Sequence, residues 1–335
     1  MKKLYLIISN DKIWMKKRNF NSNNDLDNIL SCLKDEYNIE LICRKSFKKF
    51  NYLINEKFNF CKINNIEEKN MNIFMVSITP FTFFSLLRLT FLGKKFKGFI
   101  FLRSDGFLEY KIRYGILGYY FYYIMFLFVK KKLKILSVSN HFTKVKTRNI
   151  LHPSELTNKW FRKKKTKIKF KTDFLYIGRF KKEKGAHYLT KIFKNNFSTF
   201  KLSIIGTEQK YIKKFFNSKN IKFIGPVNDQ KKLIDLYDSS KIFILPSYTE
   251  GFPKVISEAQ ARLKPIIIFN EIRHVLNNRR GIFVCKRDEK NIRKTINFIF
   301  KNYENIQKMI SKNNFYTKDN FKKELLNYTK NEFRN

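Results

Sequence analysis

Cysteine is scarce in this sequence, and its four positions lack the spacing of a metal site or a redox pair. Cys32, Cys43, Cys61 and Cys285 form no C-x-x-C pair. We therefore expect reduced, mostly buried thiols in a cytosolic protein. The opening MKKLYLIISND holds an apolar run that is too short for a signal peptide, and it predicts a first buried strand.

Acidic residues are also few, because 27 Asp and Glu stand against 70 Lys and Arg and give a formal net charge of +43. An excess of this size is typical of proteins that bind nucleic acid or an anionic membrane surface. A compositional explanation is open as well, because Lys, Asn, Ile, Phe and Tyr crowd the sequence as in proteins from strongly A/T-rich genomes.

One long apolar segment falls short of a normal membrane span. It is YGILGYYFYYIMFLFV, Tyr114–Val129, and KKKLK follows it at once. The segment predicts a helix buried inside a domain, a helix lying on a membrane, or a true membrane span. In the second case its tyrosines would lie at the headgroups and the lysines would contact anionic lipid.

Short apolar runs alternate with helical patterns in the second half of the chain. The strand candidates are DFLYIGRF, KLSIIG, KFIGPV, KIFILPS, KPIIIFN and GIFVC. Such alternation is typical of parallel strands joined by right-handed crossovers. It predicts a doubly wound α/β domain over residues 172–313.

The first half predicts a similar domain over residues 1–165. Its strand candidates are KLYLIIS, NIELICR, NIFMVSI, KGFIFLR and LKILSVS. The basic, glycine-free stretch FRKKKTKIKFK, Phe161–Lys171, separates the two halves. Residues 314–335 predict a polar C-terminal helix that lies across a surface, and a return to the first domain is one arrangement for it.

Ligands of open parallel sheets bind beyond the carboxyl ends of the strands, and GRFKKEKG lies at such an end. Gly178 permits a turn, Arg179 offers a fork of donors that matches phosphate oxygens, and Lys184 adds a point charge. Gly185 leads into a helix, whose N-terminus favours anions. The turn predicts an anion site, although a lysine-rich turn in a lysine-rich protein is the alternative.

The stretch TEGFPKVISE follows another predicted strand and keeps two acids around a turn. Glu250 lies in the loop, and Glu258 lies just over one turn into the following helix, so both can face one ligand. Gly251 and Pro253 keep the loop tight, which turns backbone N–H groups toward the ligand near Phe252, Lys254 and Val255. Two carboxylates around a helix N-terminus suit a molecule with hydroxyls at both ends and phosphate in the middle. Two surface acids are the alternative.

These two turns together resemble a known enzyme family. EGFPKVISE resembles the E-x7-E motif of the family 4 glycosyltransferases, and GRFKKEKG resembles the G-R-x-x-x-x-K-G turn of the same family. Their order and separation also agree, with FIGPVND between them. The likeness covers roughly residues 173–284 and is weak in the first half.

The resemblance implies an α/β protein of the GT-B fold, with two Rossmann-like doubly wound parallel-sheet domains facing a cleft. It implies retaining transfer of a sugar from a nucleotide-sugar donor, with a UDP- or GDP-sugar expected, and with no cofactor and no bound metal. The acceptor is expected to be a cell-surface glycan or a lipid-linked glycan that enters from the first domain. We expect a cytoplasmic protein, peripheral on the inner face of the cell membrane.

The resemblance also implies roles for individual residues. Arg179 and Lys184 would neutralise the diphosphate, and Glu250 with the backbone of residues 251–253 would hold the sugar hydroxyls. Glu258 would hold the ribose, and the loop from Gly225 to Val227 would lie near the nucleobase.

The sequence departs from the family pattern at two places in the first half. The loop after the first strand, SNDKIWMKKRNFNSNN, lacks the family's Gly-Gly pair. The place where many members carry a histidine reads FLRSDGFLEY. Asp105 is the best polar candidate there for a contact with the reacting sugar or the acceptor, and a turn residue is the alternative, since Asp-Gly is a common turn pair.

Two other functions stay open. A paralogue that binds sugar nucleotides without catalysis would tolerate the missing Gly-Gly pair and histidine. A nucleic-acid-binding protein would use the positive charge, but the sequence has no helix-turn-helix, zinc-finger or RNA-recognition signature. Specific nucleic-acid binding is therefore not expected.

Overall fold

Most of the chain is described by the computed structural model, over residues 4–16, 19–22, 24–46, 52–54, 58–161, 170–207 and 218–333. The chain divides into two units, one of residues 1–152 with 319–335 and one of residues 153–318. The basic stretch Phe161–Lys171 between the halves lies mostly outside the described residues.

The first unit is built on parallel strands buried between helices. Its strands are β1 (Leu4–Lys16), β2 (Asn19–Ser22), β3 (Asn38–Lys45), β4 (Tyr52–Ile54), β5 (Asn59–Phe60), β6 (Asn70–Val76), β7 (Lys95–Leu102) and β8 (Lys134–Ser137). The parallel order is β5-β3-β1-β6-β7-β8, and β2 and β4 extend the end of β1 by antiparallel pairing. Runs such as Ile73–Val76 are fully buried, as expected for strands covered on both faces.

The second unit repeats this arrangement. Its strands are β9 (Thr172–Ile177), β10 (Leu202–Ile205), β11 (Ile221–Ile224), β12 (Ser240–Leu245), β13 (Ile266–Phe269) and β14 (Ile282–Cys285). All its pairings are parallel, in the order β11-β10-β9-β12-β13-β14. The predicted α/β architecture of two parallel sheets is confirmed, while the short strands β2, β4 and β5 were not predicted.

Helices connect these strands. They are α1 (Asn24–Leu33), α2 (Pro80–Phe91), α3 (Gly106–Lys132), α4 (Asn158–Phe161), α5 (Ala186–Asn195), α6 (Gln230–Asp238), α7 (Lys254–Ala261), α8 (Glu289–Lys301), α9 (Tyr303–Ile310) and α10 (Lys318–Phe333). Short 3-10 helices cover Ile63–Asn65, Lys182–Lys184 and Asn270–Leu276.

Helix α3 contains the apolar segment Tyr114–Val129. Its backbone is kinked at Gly115, where φ is 71° and ψ is −157°. By length and composition α3 is long and apolar enough to cross a membrane, and 28% of its most apolar window is buried. The helix therefore packs on the first unit along one side and leaves much of its apolar surface exposed.

Helix α10 belongs almost entirely to the first unit. Phe321, Leu325 and Thr329 are buried there. The Tyr328 hydroxyl donates a hydrogen bond to the Ile150 carbonyl over 3.1 Å, and Lys330 pairs with Glu36 over 2.7 Å. Helix α10 thus packs on the unit that residues 1–152 form.

A buried ion pair ties together three parts of the second unit. The Arg262 guanidinium donates to both carboxylate oxygens of Asp238, over 2.9 and 2.6 Å, and to the Trp160 carbonyl over 2.8 Å. Both side chains are almost fully buried. Lys264 is fully buried as well, and its ammonium donates to the carbonyls of Asp238 and Ser240. Because these groups are buried, removing one partner would leave a charge that neither water nor another side chain compensates.

The substitution Asp238→Ala should destabilise the second unit strongly. It leaves the buried Arg262 charge without its carboxylate, which should lower the free energy of unfolding by about 3–5 kcal/mol. Urea unfolding is measured by tryptophan fluorescence in a Trp14→Phe background, where Trp160 reports on the second unit alone.

The matched control is Glu289→Ala, which removes an exposed pair with Arg293 on α8. It should change the free energy of unfolding much less than Asp238→Ala does, because water screens an exposed pair. Equal effects of the two substitutions would contradict the structural role given to the buried pair.

Candidate active site

The predicted residues of the turns GRFKKEKG and TEGFPKVISE follow strands that neighbour each other in the sheet. Strand β9 pairs in parallel with β12, with Phe174 opposite Ile242 and Leu175 opposite Phe243. This pair lies where the strand order reverses, since β10 and β11 extend to one side and β13 and β14 to the other. Open α/β sheets bind ligands at such a switch point, beyond the carboxyl ends of the strands.

The loop after β9 contains the predicted anion-binding residues. The Gly178 N–H donates to the Ile205 carbonyl over 3.0 Å, and the Tyr176 hydroxyl donates to the Arg179 carbonyl over 3.1 Å. Burial raises the pKa of Tyr176, and the nearby Glu250 carboxylate raises it further. The phenol therefore stays protonated and holds the backbone of Arg179, whose side chain is exposed.

Gly185 lets this loop approach the loop after β12. Its φ of 66° lies in the left-handed region, and a side chain there would collide with the Pro246 carbonyl oxygen. The Tyr248 N–H also donates to the Glu183 carbonyl over 2.9 Å. Backbone contacts thus hold the two loops against each other.

A side-chain contact joins the same two loops at the centre of the site. The Lys184 ammonium lies 2.8 Å from Glu250 Oε1, and the Ser247 hydroxyl donates to the same oxygen over 2.6 Å. His274 Nε2 lies 2.8 Å from the Glu250 carbonyl oxygen, so a ring protonated at that nitrogen would donate there. The structure therefore brings together Lys184 and Glu250, which lie 66 positions apart in the sequence.

Arg287 supports the second loop from behind. Its Nη2 donates to the carbonyls of Pro246 and Ser247, each over 2.8 Å. The guanidinium carbon lies 4.0 Å from the ring centroid of Tyr248 and 4.4 Å from that of Phe269, within the range of cation–π attraction. Sequence reasoning missed Ser247 and Arg287. Ser247 lies two residues before the stretch TEGFPKVISE, but nothing near Arg287 in the sequence points to this loop.

Glu258 lies in α7 with its carboxylate oriented by a buried tyrosine. The Tyr237 hydroxyl donates to Glu258 Oε2 over 2.8 Å and lies 3.3 Å from the Val255 carbonyl. Burial raises the pKa of Tyr237, and the Glu258 carboxylate adds to this shift. The phenol thus stays a proton donor, and sequence reasoning missed it as well.

The two helices that begin at the site have no side-chain cap. Gly185 precedes α5 and Pro253 precedes α7, and neither residue carries a side-chain oxygen. At other helices the carboxylates of Asp229 and Asp288 accept from first-turn N–H groups. Helix N-termini without a side-chain cap can bind anions, and both α5 and α7 begin at the site.

The remaining predicted donor residues surround the start of α7. Lys254 pairs with Glu155 over 2.7 Å, and the Arg279 guanidinium carbon lies 5.5 Å from the Phe252 ring centroid. Burial lowers the pKa of Arg279 to about 10, so this second cation, also missed from the sequence, is still charged at neutral pH.

Gly225 and Val227 follow β11, the outermost strand on the β10 side of the sheet, and lie at the same edge as the other predicted residues. The Gly206 N–H, at the end of β10, donates to the carbonyls of Ile224 and Gly225. Three strand spacings, about 14 Å, separate β11 from β12. The predicted residues thus line one sheet edge that is long enough for an elongated ligand.

Asp105, the candidate of the first unit, is buried and caps helix α3. Its Oδ1 accepts from the Leu108 N–H over 3.1 Å, and its Oδ2 accepts from the Thr143 N–H over 2.7 Å. This geometry explains the acid as a structural cap, so a contact with sugar or acceptor stays a prediction.

The described part of the chain has no group of three or more His, Cys, Asp or Glu residues arranged to hold a metal ion.

Comparison with known structures agrees with this arrangement. A sucrose-phosphate synthase from Thermosynechococcus elongatus superimposes with a TM-score of 0.72 at 11% identity, and the match covers 99% of both chains. Anabaena HepE in complex with UDP-glucose matches with a TM-score of 0.67 at 12% identity, covering 98% of this chain and 99% of HepE. The chain has the GT-B fold.

Sequence comparison adds a family match within the second unit. Residues 158–315 match the family model of the group 1 glycosyl transferases. An uncharacterized glycosyltransferase of Haemophilus influenzae is 28% identical over 52% of this chain and 52% of its own length. A capsular polysaccharide biosynthesis glycosyltransferase of Staphylococcus aureus, CapM, is 34% identical over 41% of this chain and 39% of its own length. The chain thus spans about half the length of these curated relatives, or less.

The substitution Gly185→Ala should loosen the junction between the two loops. The left-handed backbone alone costs an L residue about 1–2 kcal/mol, and the collision with Pro246 adds to this. The fluorescence assay with Trp160 measures the loss as a lower free energy of unfolding.

Gly225→Ala is the matched control at the same sheet edge. A Cβ built on Gly225 has nothing within 4 Å, so its effect should stay within about 0.5 kcal/mol. A Gly185 variant as stable as the control would show that the close approach to Pro246 is not required.

Proposed function

We propose that this chain is a retaining, metal-independent glycosyltransferase of family 4. It would move a sugar from a nucleotide-sugar donor to a cell-surface glycan or a lipid-linked glycan. The observation that carries the proposal is the contact between Lys184 and Glu250 at the switch point of the second sheet. The group 1 family match over residues 158–315 supports it.

A cation and a carboxylate side by side suit the junction between a sugar and a phosphate. In a nucleotide sugar the anomeric carbon bonds directly to a phosphate oxygen, so sugar hydroxyls and phosphate oxygens lie close together. Glu250 would accept hydrogen bonds from the hydroxyls, while Lys184 and Arg179 would face the phosphates. Ser247 and Arg287 would hold the Glu250 loop in position for this contact.

The proposed reaction builds charge that these groups would balance. The bond between the anomeric carbon and the phosphate oxygen breaks, and its electron pair goes to the diphosphate. The acceptor hydroxyl oxygen bonds to the anomeric carbon on the same face, and its proton passes to the departing phosphate. Cations and helix N-termini that already face the diphosphate would lower the activation barrier of this transfer, because they need not reorganise as its charge develops.

The rest of the donor would extend along the sheet edge. Glu258, held by Tyr237, would accept from the ribose hydroxyls, and the loop from Gly225 to Val227 would lie beside the base. We propose a UDP- or GDP-sugar. The neighbouring HepE structure contains UDP-glucose, which supports a donor of this class.

The acceptor and the location are proposed from the name of one relative and from the buried cysteines. One relative is named for capsular polysaccharide biosynthesis, which supports a growing cell-surface glycan as the acceptor. We propose that the protein acts in the cytoplasm, where nucleotide sugars and reduced thiols such as the buried Cys32, Cys43 and Cys285 occur together.

Donor binding is tested by thermal unfolding with UDP-, GDP-, ADP- and dTDP-sugars. A true donor at a hundred times its Kd stabilises the folded state by about 2.7 kcal/mol, which raises the Tm of a domain of this size by roughly 5–10 °C. Binding without either donor hydrolysis or transfer would favour an inactive paralogue. No shift with any donor, together with sequence-specific nucleic-acid binding, would refute the proposal.

Arg179→Ala should reduce turnover of the donor found in this screen. Losing one charge-assisted hydrogen bond to the diphosphate costs about 1.5–3 kcal/mol, or roughly ten- to a hundredfold. Release of nucleoside diphosphate is measured at saturating acceptor.

Lys301→Ala is the charge-matched control, because it removes an exposed cation at the end of α8. Its turnover should equal that of the unmodified protein. Unchanged turnover in the Arg179 variant would remove that residue from the site.

A further inference from the structure

We infer that helix α3 docks the first unit on an anionic membrane surface, with its apolar side in the lipid interface and a lysine-lined cavity at its end on the lipid phosphates. This inference rests on residues outside the proposed donor site and goes beyond the proposed function.

The first observation is an exposed apolar ridge on α3. We define the ridge by its large, exposed side chains, which are Tyr114, Ile116, Leu117, Tyr120, Phe121 and Ile124. Leu117 is 79% exposed and Ile124 is 64% exposed, which is unusual for aliphatic side chains brought together on one helix. Tyrosines beside aliphatic residues match the boundary between headgroups and acyl chains.

Helix geometry concentrates these side chains on one side. Leu117, Phe121 and Ile124 are spaced by four and three positions, so they share a stripe. The same spacing continues to Phe128, whose ring packs edge-on against Phe83 of α2 at 5.5 Å. Phe84 and Phe91 of α2 are exposed as well and add apolar surface beside α3.

The opposite side of α3 fixes the helix to the first unit. Tyr122, Met125, Phe126 and Val129 are buried on that side, and α3 contacts helix α2 and strand β7 of the first unit. Inserting α3 across a bilayer would strip these residues from the protein core. The helix is therefore placed to lie on a membrane rather than to cross it.

The second observation is a basic cavity at the C-terminal end of α3. It has a volume of about 630 Å³, and its lining includes the lysines at positions 97, 130, 131, 132, 134, 144 and 146. Among the described lining residues the acid is Glu332, which pairs with Lys134 over 2.6 Å. The cavity therefore keeps a large positive excess.

The cavity and the ridge lie on the same helix, so one surface can engage both. Lys131 follows Leu117 by fourteen positions, which is nearly four full turns. The Lys144 ammonium lies 5.6 Å from the Tyr123 ring centroid, and that of Lys130 lies 5.8 Å from the Phe126 ring centroid. Aromatic rings of α3 thus hold two of the lysines that line the cavity.

An anionic membrane matches both the apolar ridge and the basic cavity, whereas nucleic acid and a second copy of the chain each match one of them. Nucleic acid would neutralise the lysines but leave Leu117 and Ile124 in water. A second copy would cover the ridge but bring two chains of net charge +43 together. A lipid surface offers acyl chains to the ridge and phosphates to the cavity.

Vesicle co-sedimentation of the full-length protein tests the inference. We expect binding to vesicles of phosphatidylcholine with phosphatidylglycerol, weaker binding to phosphatidylcholine alone, and loss of binding as salt rises. No binding to the anionic vesicles at low salt would overturn the inference.

Two double variants separate the apolar and the basic contributions. Leu117→Ser with Ile124→Ser should weaken vesicle partitioning at least tenfold and leave retention on heparin unchanged. Lys130→Gln with Lys131→Gln should weaken both, by roughly fivefold per lysine on vesicles. All four side chains are exposed, so the fold should persist, and an unchanged Tm verifies this.

Matched controls lie in the second unit. Phe298→Ser removes an apolar side chain that is 51% exposed, and Lys301→Gln with Lys308→Gln removes two exposed charges. These controls should bind vesicles like the unmodified protein. If the control variants lost as much vesicle binding as the ridge and lysine variants, the inference would be overturned. It would also be overturned if the ridge variant bound vesicles normally but lost self-association measured by light scattering.

Discussion

Parallel pairing of β9 with β12 is the constraint on which the candidate site depends. These strands come from distant parts of the second unit, and their pairing places the ends of both at one sheet edge. Gly185 then allows the two following loops to approach, and the Lys184–Glu250 contact joins them. Tyr176 and Arg287 support the loops from the protein side, so the proposed chemistry rests on a rigid frame.

Acidic residues are few in this chain, and several of them have a definite structural role. Asp238 neutralises a buried arginine, Glu250 pairs with Lys184, and Asp105, Asp229 and Asp288 cap helices. Each lies where a negative charge meets a cation or the positive end of a helix. Many of the described lysines, such as Lys130, Lys131 and Lys301, are exposed, which is also what a compositional bias toward lysine would produce.

The sequence predicted the parts of the structure that depend on local pattern. Buried parallel strands appear in the sequence as short apolar runs, and ligand-binding residues follow the ends of such strands. The sequence was therefore enough to predict the two sheets and to select Lys184 and Glu250 as candidates. Ser247, Tyr237, Arg279 and Arg287 were not selected, because their roles arise from packing between distant segments. The short strands β2, β4 and β5 were missed for a related reason, since their few residues show little periodicity.

The placement of α10 has a consequence for how the chain folds during synthesis. Residues 319–335 complete the first unit, yet they are made after all of the second unit. The sheet of the second unit can thus form on the ribosome before α10 has been made. During that time the Ile150 carbonyl and the Glu36 carboxylate lack the contacts that α10 gives them in the folded protein. Until α10 has been made, the surface that it covers stays exposed, and chaperones can bind there.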